Sequence, residues 1–163
     1  MGLAHALALP GCVDTLTDAF GPGPLLEPCQ VAWLGVEPRV AAGWEREQAD
    51  RLGLHVTTSQ ALAADPAGAA RAALDHLPPG PLAAHIDVDV LDFIDAPLAE
   101  NTDCVTPDPP STRPLRRSRW QREIRGCERL SIGELNPTRC AGDPDALPRF
   151  VSAIARILAA TIH

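Results

Sequence analysis

The sequence of 163 residues contains no lysine and no tyrosine, and only 4% of it is aromatic. A formal net charge of −7 at pH 7 argues against a nucleic-acid partner, which needs a basic face. No apolar run approaches the roughly 20 residues of a membrane-spanning helix, and the first five residues lack the basic flank of a secretory signal. We therefore expect a cytoplasmic protein with no nucleic-acid or membrane partner.

The cysteines are few, odd in number and widely spaced, with no C-x-x-C pair. This spacing suggests neither a disulfide framework nor a zinc ribbon. We expect free thiols that are mostly buried as small apolar side chains. They are Cys12, Cys29, Cys104, Cys127 and Cys140.

Apolar, β-branched runs alternate with alanine-rich stretches of helical period, which predicts an α/β protein with parallel strands and crossover helices. Strands are predicted over 30–36, 54–57, 82–90 and 130–135. Helices are predicted over 44–52, from Ser59 or Asp65 to Leu77, and from Asp145 or Ala146 to the C-terminus. Gly53 is the predicted C-cap of the first of these helices, and Pro66 suits a first helical turn.

One segment, 103–129, breaks this pattern. It holds four prolines, and seven of the 14 arginines lie between 113 and 129. An anion-binding patch is one interpretation, and a solvated irregular loop with a short helix near Trp120 is the simpler one.

The segment from His85 to Asp92 carries most of the chemical information. Strand alternation places His85, Asp87 and Asp89 on one face, near the carboxyl end where parallel sheets bind ligands. Two close carboxylates cannot both stay ionised cheaply, so either one holds a proton or a cation lies between them. A cation is the simpler answer, and oxygen ligands favour manganese, magnesium or calcium.

Other interpretations of this segment stay open. An EF-hand loop fails, because its sixth position would be Asp92 and its twelfth Leu98. The two carboxylates could instead cap a neighbouring helix or loop, and His85 could be a packed histidine with no ligand role.

Glu134 lies at the end of another strand that is predicted to be buried, and it would meet the same crevice. A buried carboxylate needs a partner, and a guanidinium matches its two oxygens. The alternative is an internal salt bridge, for instance with Arg139.

These motifs are recognisable together. HIDVDVLD, followed by Ala96-Pro97, resembles the second metal motif of the arginase, agmatinase and formimidoylglutamase family, the ureohydrolases. SIGELNPTRCAGDPDALPRFVSAIARIL resembles that family's closing strand, E-x-N-P turn and last helix, and VAWLGVEP and DRLGLHV fall in the same order. The resemblance implies a three-layer arginase-like fold with a mainly parallel sheet, whose N-terminal strands are missing here. We therefore expect residues 1–163 to form a single, truncated domain equivalent to the family's C-terminal half.

The resemblance also implies site residues. Asp87 is similar to the aspartate that bridges two manganese ions, and Asp89 to the aspartate that completes one of them. Glu134 is similar to the glutamate that holds the guanidinium or amidine group of the substrate, whereas Asp92 shapes the turn after the strand. The implied activity is metal-dependent hydrolysis of a guanidino or formimino C–N bond, in which a hydroxide generated at neutral pH attacks the amidine carbon.

The chain lacks the family's G-G-D-H and D-A-H-x-D motifs, so the implied dimanganese site is incomplete. One hypothesis is an enzyme whose missing ligands come from a partner chain. The other is a catalytically inactive arginase-fold protein that binds divalent metal weakly or associates with a partner. Missing strands would expose sheet edges, which predicts homo-oligomers or association with the missing half.

Two further interpretations complete the set. The segment 103–129 departs abruptly from the family pattern, which suggests divergent sequence or a shifted reading frame. A nucleotide-binding protein is disfavoured, because no G-x-G-x-x-G or P-loop follows any predicted strand.

Overall fold

The structure is a computed structural model that describes residues 2–19, 21–39, 41–91, 96–100 and 127–161. Within these ranges the order is α1 Gly2–Ala6, α2 Asp14–Thr17, β1 Ala32–Val36, α3 Gly43–Leu52, β2 His55–Thr58, α4 Ser59–Ala64, α5 Pro66–His76, β3 Leu82–Asp87, β4 Cys127–Gly133 and α6 Ala146–Thr161. Short 3-10 turns lie at Pro28–Gln30, Val88–Val90 and Pro137–Gly142. This alternation of strands and helices confirms the α/β class. Positions 103–126 of the predicted irregular segment lie outside the described residues.

The first parallel ribbon pairs β1 with β2, and α4 and α5 pack against it. The residues between these elements stop and start the helices as the sequence predicts. Gly53 ends α3 in the left-handed region, with φ 65°, where glycine has no steric penalty. Asp65 caps α5 through a hydrogen bond from the Gly68 amide at 3.0 Å, and Pro66 occupies the first turn. Thr58, instead of Ser59, caps α4.

The second parallel ribbon pairs β3 with β4, and in it His85 lies opposite Ser131 and Asp87 opposite Gly133. One face of β3 is half-buried, and the other, which carries His85 and Asp87, is exposed. The strand prediction over 82–90 is too long. The chain leaves the extended conformation after Asp87 because the next residue, Val88, turns into the core.

The core beneath this ribbon is a small apolar cluster. Val88 and Leu98 are fully buried, and Ala96, Cys140 and Ala146 surround them. Leu91, Leu147 and Phe150 pack against the cluster, so α6 covers it from one side. The 3-10 turn after β3 thus begins at the residue that enters this buried cluster.

The two ribbons touch at the carboxyl end of β1. Gly35 has φ 85°, and a Cβ atom there would collide with the Val90 side chain of the turn after β3. A glycine is thus needed at this position both for its backbone conformation and for its lack of a side chain.

The cysteines only partly follow the prediction of burial. Cys140 is buried and Cys12 and Cys127 are half-buried, but Cys29 is exposed in a 3-10 turn, so the prediction is wrong there. These four thiols are free, as expected, and Cys104 lies outside the described residues.

No helix within the described part of the chain is long and apolar enough to cross a membrane.

A polar network follows β1. Glu37 accepts hydrogen bonds from the Arg39 amide at 3.1 Å and the Arg39 Nε at 2.9 Å, and from the Ser59 hydroxyl at 2.9 Å. These bonds, led by the Arg39 side chain, lower the pKa of Glu37 from 4.5 to about 2. The carboxylate therefore ties the end of β1 to the start of α4 whenever it is ionised.

The Glu37 network predicts a specific pH dependence of stability. A carboxylate whose pKa is lowered on folding stabilises the protein above its unfolded pKa, and this contribution is lost as pH falls through the folded pKa. Glu37→Gln should therefore lower the free energy of unfolding at neutral pH, and the difference from wild type should close between pH 4.5 and about 2. Urea unfolding across this range measures it, with Glu47→Gln on the exposed side of α3 as the control. A difference that does not change with pH would contradict the ionic role.

Burial of Leu98 predicts a large stability effect. Leu98 is 0% exposed, so Leu98→Ala should lower the free energy of unfolding by about 3 kcal/mol. Leu16→Ala on α2, where the side chain is 57% exposed, should change it by less than about 0.5 kcal/mol. Chemical denaturation of both variants tests the position of the core, and equal effects would show that the core lies elsewhere.

Candidate functional site

The exposed face of β3 carries a hydrogen-bonded row of side chains. His85 Nε2 lies 3.0 Å from Asp87 Oδ1, and His85 Nδ1 lies 2.7 Å from the Ser131 hydroxyl on the neighbouring strand. The side chains of His85 and Asp87 are 56% and 52% exposed. Both lie on the face that strand alternation predicts.

Asp89 lies just beyond the end of β3, in a turn and not in the strand. The prediction that it continues the strand is wrong, because Val88–Val90 form a 3-10 turn. Burial raises the pKa of Asp89 above its ordinary 3.8, and the negative charge of Asp87 raises it further. The charge of Asp87 thus disfavours ionisation of Asp89, which lies in the turn after β3 and not in the strand.

Gly133 makes room for this arrangement. It lies opposite Asp87 in the ladder, and a Cβ atom there would collide with Asp87 Oδ1 and approach His85 Nε2 to 3.1 Å. Any side chain at Gly133 would therefore displace the Asp87 carboxylate or the imidazole.

Glu134 follows directly, at the point where β4 ends. Its φ of 56° lies in the left-handed region, which is uncommon for a residue with a side chain. The side chain is exposed, so the expectation of a buried carboxylate is wrong. β4 is also partly exposed to solvent, and its residue Ile132, for example, is 38% exposed.

The turn after Glu134 is held by the short segment Ala96–Glu100. The Glu134 carbonyl accepts a hydrogen bond from the Glu100 amide at 2.8 Å, and the Asn136 amide donates to the Leu98 carbonyl at 2.8 Å. The Asn136 side chain donates to the Glu100 carboxylate and accepts from the Thr138 amide.

The alternative partner for Glu134 is used elsewhere. The Arg139 guanidinium donates to the Glu100 carbonyl at 3.2 Å, and in the described ranges no ion pair joins Arg139 to Glu134. Among the residues that the structure describes, the internal salt bridge with Arg139 is therefore not formed, and Glu134 is exposed at the end of β4.

Four residues of this site, Ser131, Gly133, Glu100 and Asn136, have no role in the sequence interpretation. Alternation along LSIGEL places Ser131 and Gly133 on one face, but only the register between β3 and β4 shows what they meet. Asp92 lies outside the described residues.

The donor set suits one hard divalent cation, held from one side. Asp87 and Asp89 supply carboxylate oxygens, the ligands that manganese and magnesium accept, and a cation would relieve their mutual repulsion. Among the residues that the structure describes, no three His, Cys, Asp or Glu side chains form a group that could hold a metal. The described donors therefore fit part of one cation site and not a complete two-ion centre.

Comparison with solved structures decides the fold. No family model and no curated protein matches the chain. Two crystal structures of arginase from Bacillus subtilis, one of them from strain 168 at 1.7 Å resolution, match with TM-scores of 0.72 and 0.71 at 20% identity. The chain has the arginase fold.

The match includes nearly all of this chain but only about half of each solved arginase. It covers 96% of this chain but 53% of each arginase chain. The chain thus spans about half the length of the solved arginases that it matches, consistent with a partial arginase fold.

The interaction between the two carboxylates is directly testable. Asp87→Asn removes the negative charge beside Asp89, so the pKa of Asp89 should fall, though not to 3.8, because burial is the larger cause of its shift. Titration of the side-chain carboxyl carbons by NMR measures this change. Asp75→Asn on α5 is the control and should leave the pKa of Asp89 unchanged. If the pKa of Asp89 also stays unchanged in Asp87→Asn, the charge of Asp87 does not act on Asp89.

Proposed function

We propose that this chain provides one side of the hydrolytic centre of an arginase-type enzyme that cleaves a guanidino or formimino C–N bond. The observation that carries the proposal is the position of these residues in an arginase fold: Asp87 ends β3, Asp89 lies in the turn after it, and Glu134 follows the end of the parallel neighbour β4. In open α/β sheets ligands bind at this edge.

Each residue has a separate task in this proposal. Asp87 and Asp89 would hold the cation, which in the ureohydrolases is manganese. When bound, a divalent cation lowers the pKa of water and so provides a nucleophile at neutral pH. Glu134 accepts hydrogen bonds from the planar guanidinium or amidine of the substrate and so orients the carbon for attack.

The geometry of Glu134 suits this task. Its carboxylate is exposed, and in the described ranges no ion pair occupies it, so it can receive a cationic group from solution. Its left-handed backbone costs of order 1 kcal/mol, and backbone strain of this kind is found at many functional sites.

Completion of the site requires further ligands, because two carboxylates leave most of a cation's coordination to water. We propose that they come from a second chain or a further copy that covers the open edge of the sheet. Exposed apolar side chains on β4 and just beyond it, Ile132 at 38% and Leu135 at 37%, would be buried by such an association.

Light scattering after size exclusion should then show an oligomer, and a stable monomer that unfolds cooperatively would contradict this.

Manganese binding tests the proposed cation site. Asp87→Ala should weaken manganese binding by tenfold or more, which corresponds to about 1.4 kcal/mol, and Asp89→Ala should have a smaller effect. Equilibrium dialysis with elemental analysis measures both, and Asp50→Ala on the exposed side of α3 is the matched control. Equal uptake by wild type and the Asp87→Ala, Asp89→Ala double variant would exclude these residues as ligands.

Turnover tests the reaction itself. Release of urea from arginine, agmatine and guanidinobutyrate, and of formamide from formiminoglutamate, should be followed on the manganese-loaded sample. Glu134→Gln should reduce any turnover while leaving manganese binding unchanged, because Glu134 contacts the substrate and not the cation. Manganese binding without turnover of any substrate would support the alternative, an inactive arginase-fold protein with a weak cation site.

A further inference from the structure

We propose that His85, held by Ser131, is a positioning residue that fixes the Asp87 carboxylate and is not itself a cation ligand. The inference deepens the proposed function, and it rests on that function for what Asp87 binds. The arrangement of the three side chains, however, stands on its own distances.

The hydrogen bonds assign the imidazole proton. An ionised carboxylate only accepts hydrogen bonds, so the contact of 3.0 Å between Asp87 Oδ1 and His85 Nε2 requires a proton on Nε2. In the neutral ring Nδ1 is then bare and accepts from the Ser131 hydroxyl at 2.7 Å. Both nitrogens are engaged, and neither has a free lone pair for a cation.

The register between β3 and β4 positions these hydrogen-bonded side chains. Ser131 lies directly opposite His85, and Gly133 directly opposite Asp87, so the neighbouring strand provides a hydroxyl at one position and empty space at the other. A side chain at Gly133 would move the imidazole or the carboxylate, and a residue without a hydroxyl at position 131 would remove the partner of His85 Nδ1. The arrangement is thus set by two positions of β4 that are not among the proposed cation ligands.

The consequence for Asp87 is a fixed orientation on an open surface. Its side chain is 52% exposed, so without the hydrogen bond it could rotate freely in solvent. With Oδ1 engaged by His85, Oδ2 has no partner among the described residues and is available to a ligand. Hydrogen bonds to ligating carboxylates commonly serve this purpose.

The tautomer of His85 distinguishes a positioning residue from a ligand. Nitrogen NMR of the ¹⁵N-histidine protein, well above the ordinary imidazole pKa of about 6.5, should show His85 with protonated Nε2 and bare Nδ1. A ligand that uses Nε2 would need the opposite tautomer. Asp87→Ala should give a tautomer mixture, and Ser131→Ala should shift the Nδ1 resonance toward that of an unbonded nitrogen. Ser131→Thr keeps the hydroxyl and should restore the wild-type Nδ1 resonance.

Manganese affinity gives a second readout for the same variants. Ser131→Ala should weaken manganese binding by roughly tenfold, and Ser131→Thr should recover it. The internal control for the NMR measurement is His55, whose Nε2 lies 3.3 Å from the Thr57 hydroxyl on β2. The ¹⁵N resonances of its ring should be the same in wild type and in every variant.

The outcomes separate the two proposals. The positioning role is overturned if His85 carries its proton on Nδ1, or if the tautomer of His85 is the same in Asp87→Ala as in wild type. Protonated Nε2 together with no manganese uptake by wild type supports the positioning role and overturns the proposed cation site.

Discussion

The parallel pairing of β3 with β4 is the interaction on which the candidate site depends. Because Asp87 lies opposite Gly133, the carboxylate has space, and because His85 lies opposite Ser131, the imidazole has an anchor. Glu134 follows Gly133 directly, where β4 ends. A slip by one residue would turn these side chains to the opposite face, so the register and the chemistry cannot be separated.

The site edge carries several features that are unfavourable for stability alone. Asp89 is held where its charge is disfavoured, Glu134 adopts a left-handed backbone, and Ile132 is partly exposed. Such costs are commonly concentrated at functional sites. They are also the costs expected of a surface that another part of an arginase fold would cover, and the chain matches 53% of each solved arginase.

Local signals made part of this fold predictable from the sequence. Gly53 ends α3 and Asp65 with Pro66 starts α5, because these residues act through their own backbone and nearest neighbours. Period-two alternation likewise places His85 and Asp87 on one face. The α/β class follows from the same local patterns and is confirmed.

The errors arise from contacts between distant residues. The strand stops at Asp87 because Val88 packs against Leu98 and Cys140, which no local pattern of HIDVDV reveals. Glu134 is exposed because nothing in the described residues covers it, whereas the apolar neighbours in LSIGEL indicate burial. The importance of Gly133 becomes visible only when the opposite strand is in place.

Paramagnetic broadening by manganese tests the central claim most directly. Added in small molar fractions to ¹⁵N-labelled protein, manganese should broaden amide signals at the carboxyl ends of β3 and β4 first, around Asp87, Asp89 and Gly133. The same addition to Asp87→Ala should leave those signals sharp. Broadening that centres elsewhere, or that spreads evenly over exposed carboxylates in both proteins, would contradict a cation site at this edge.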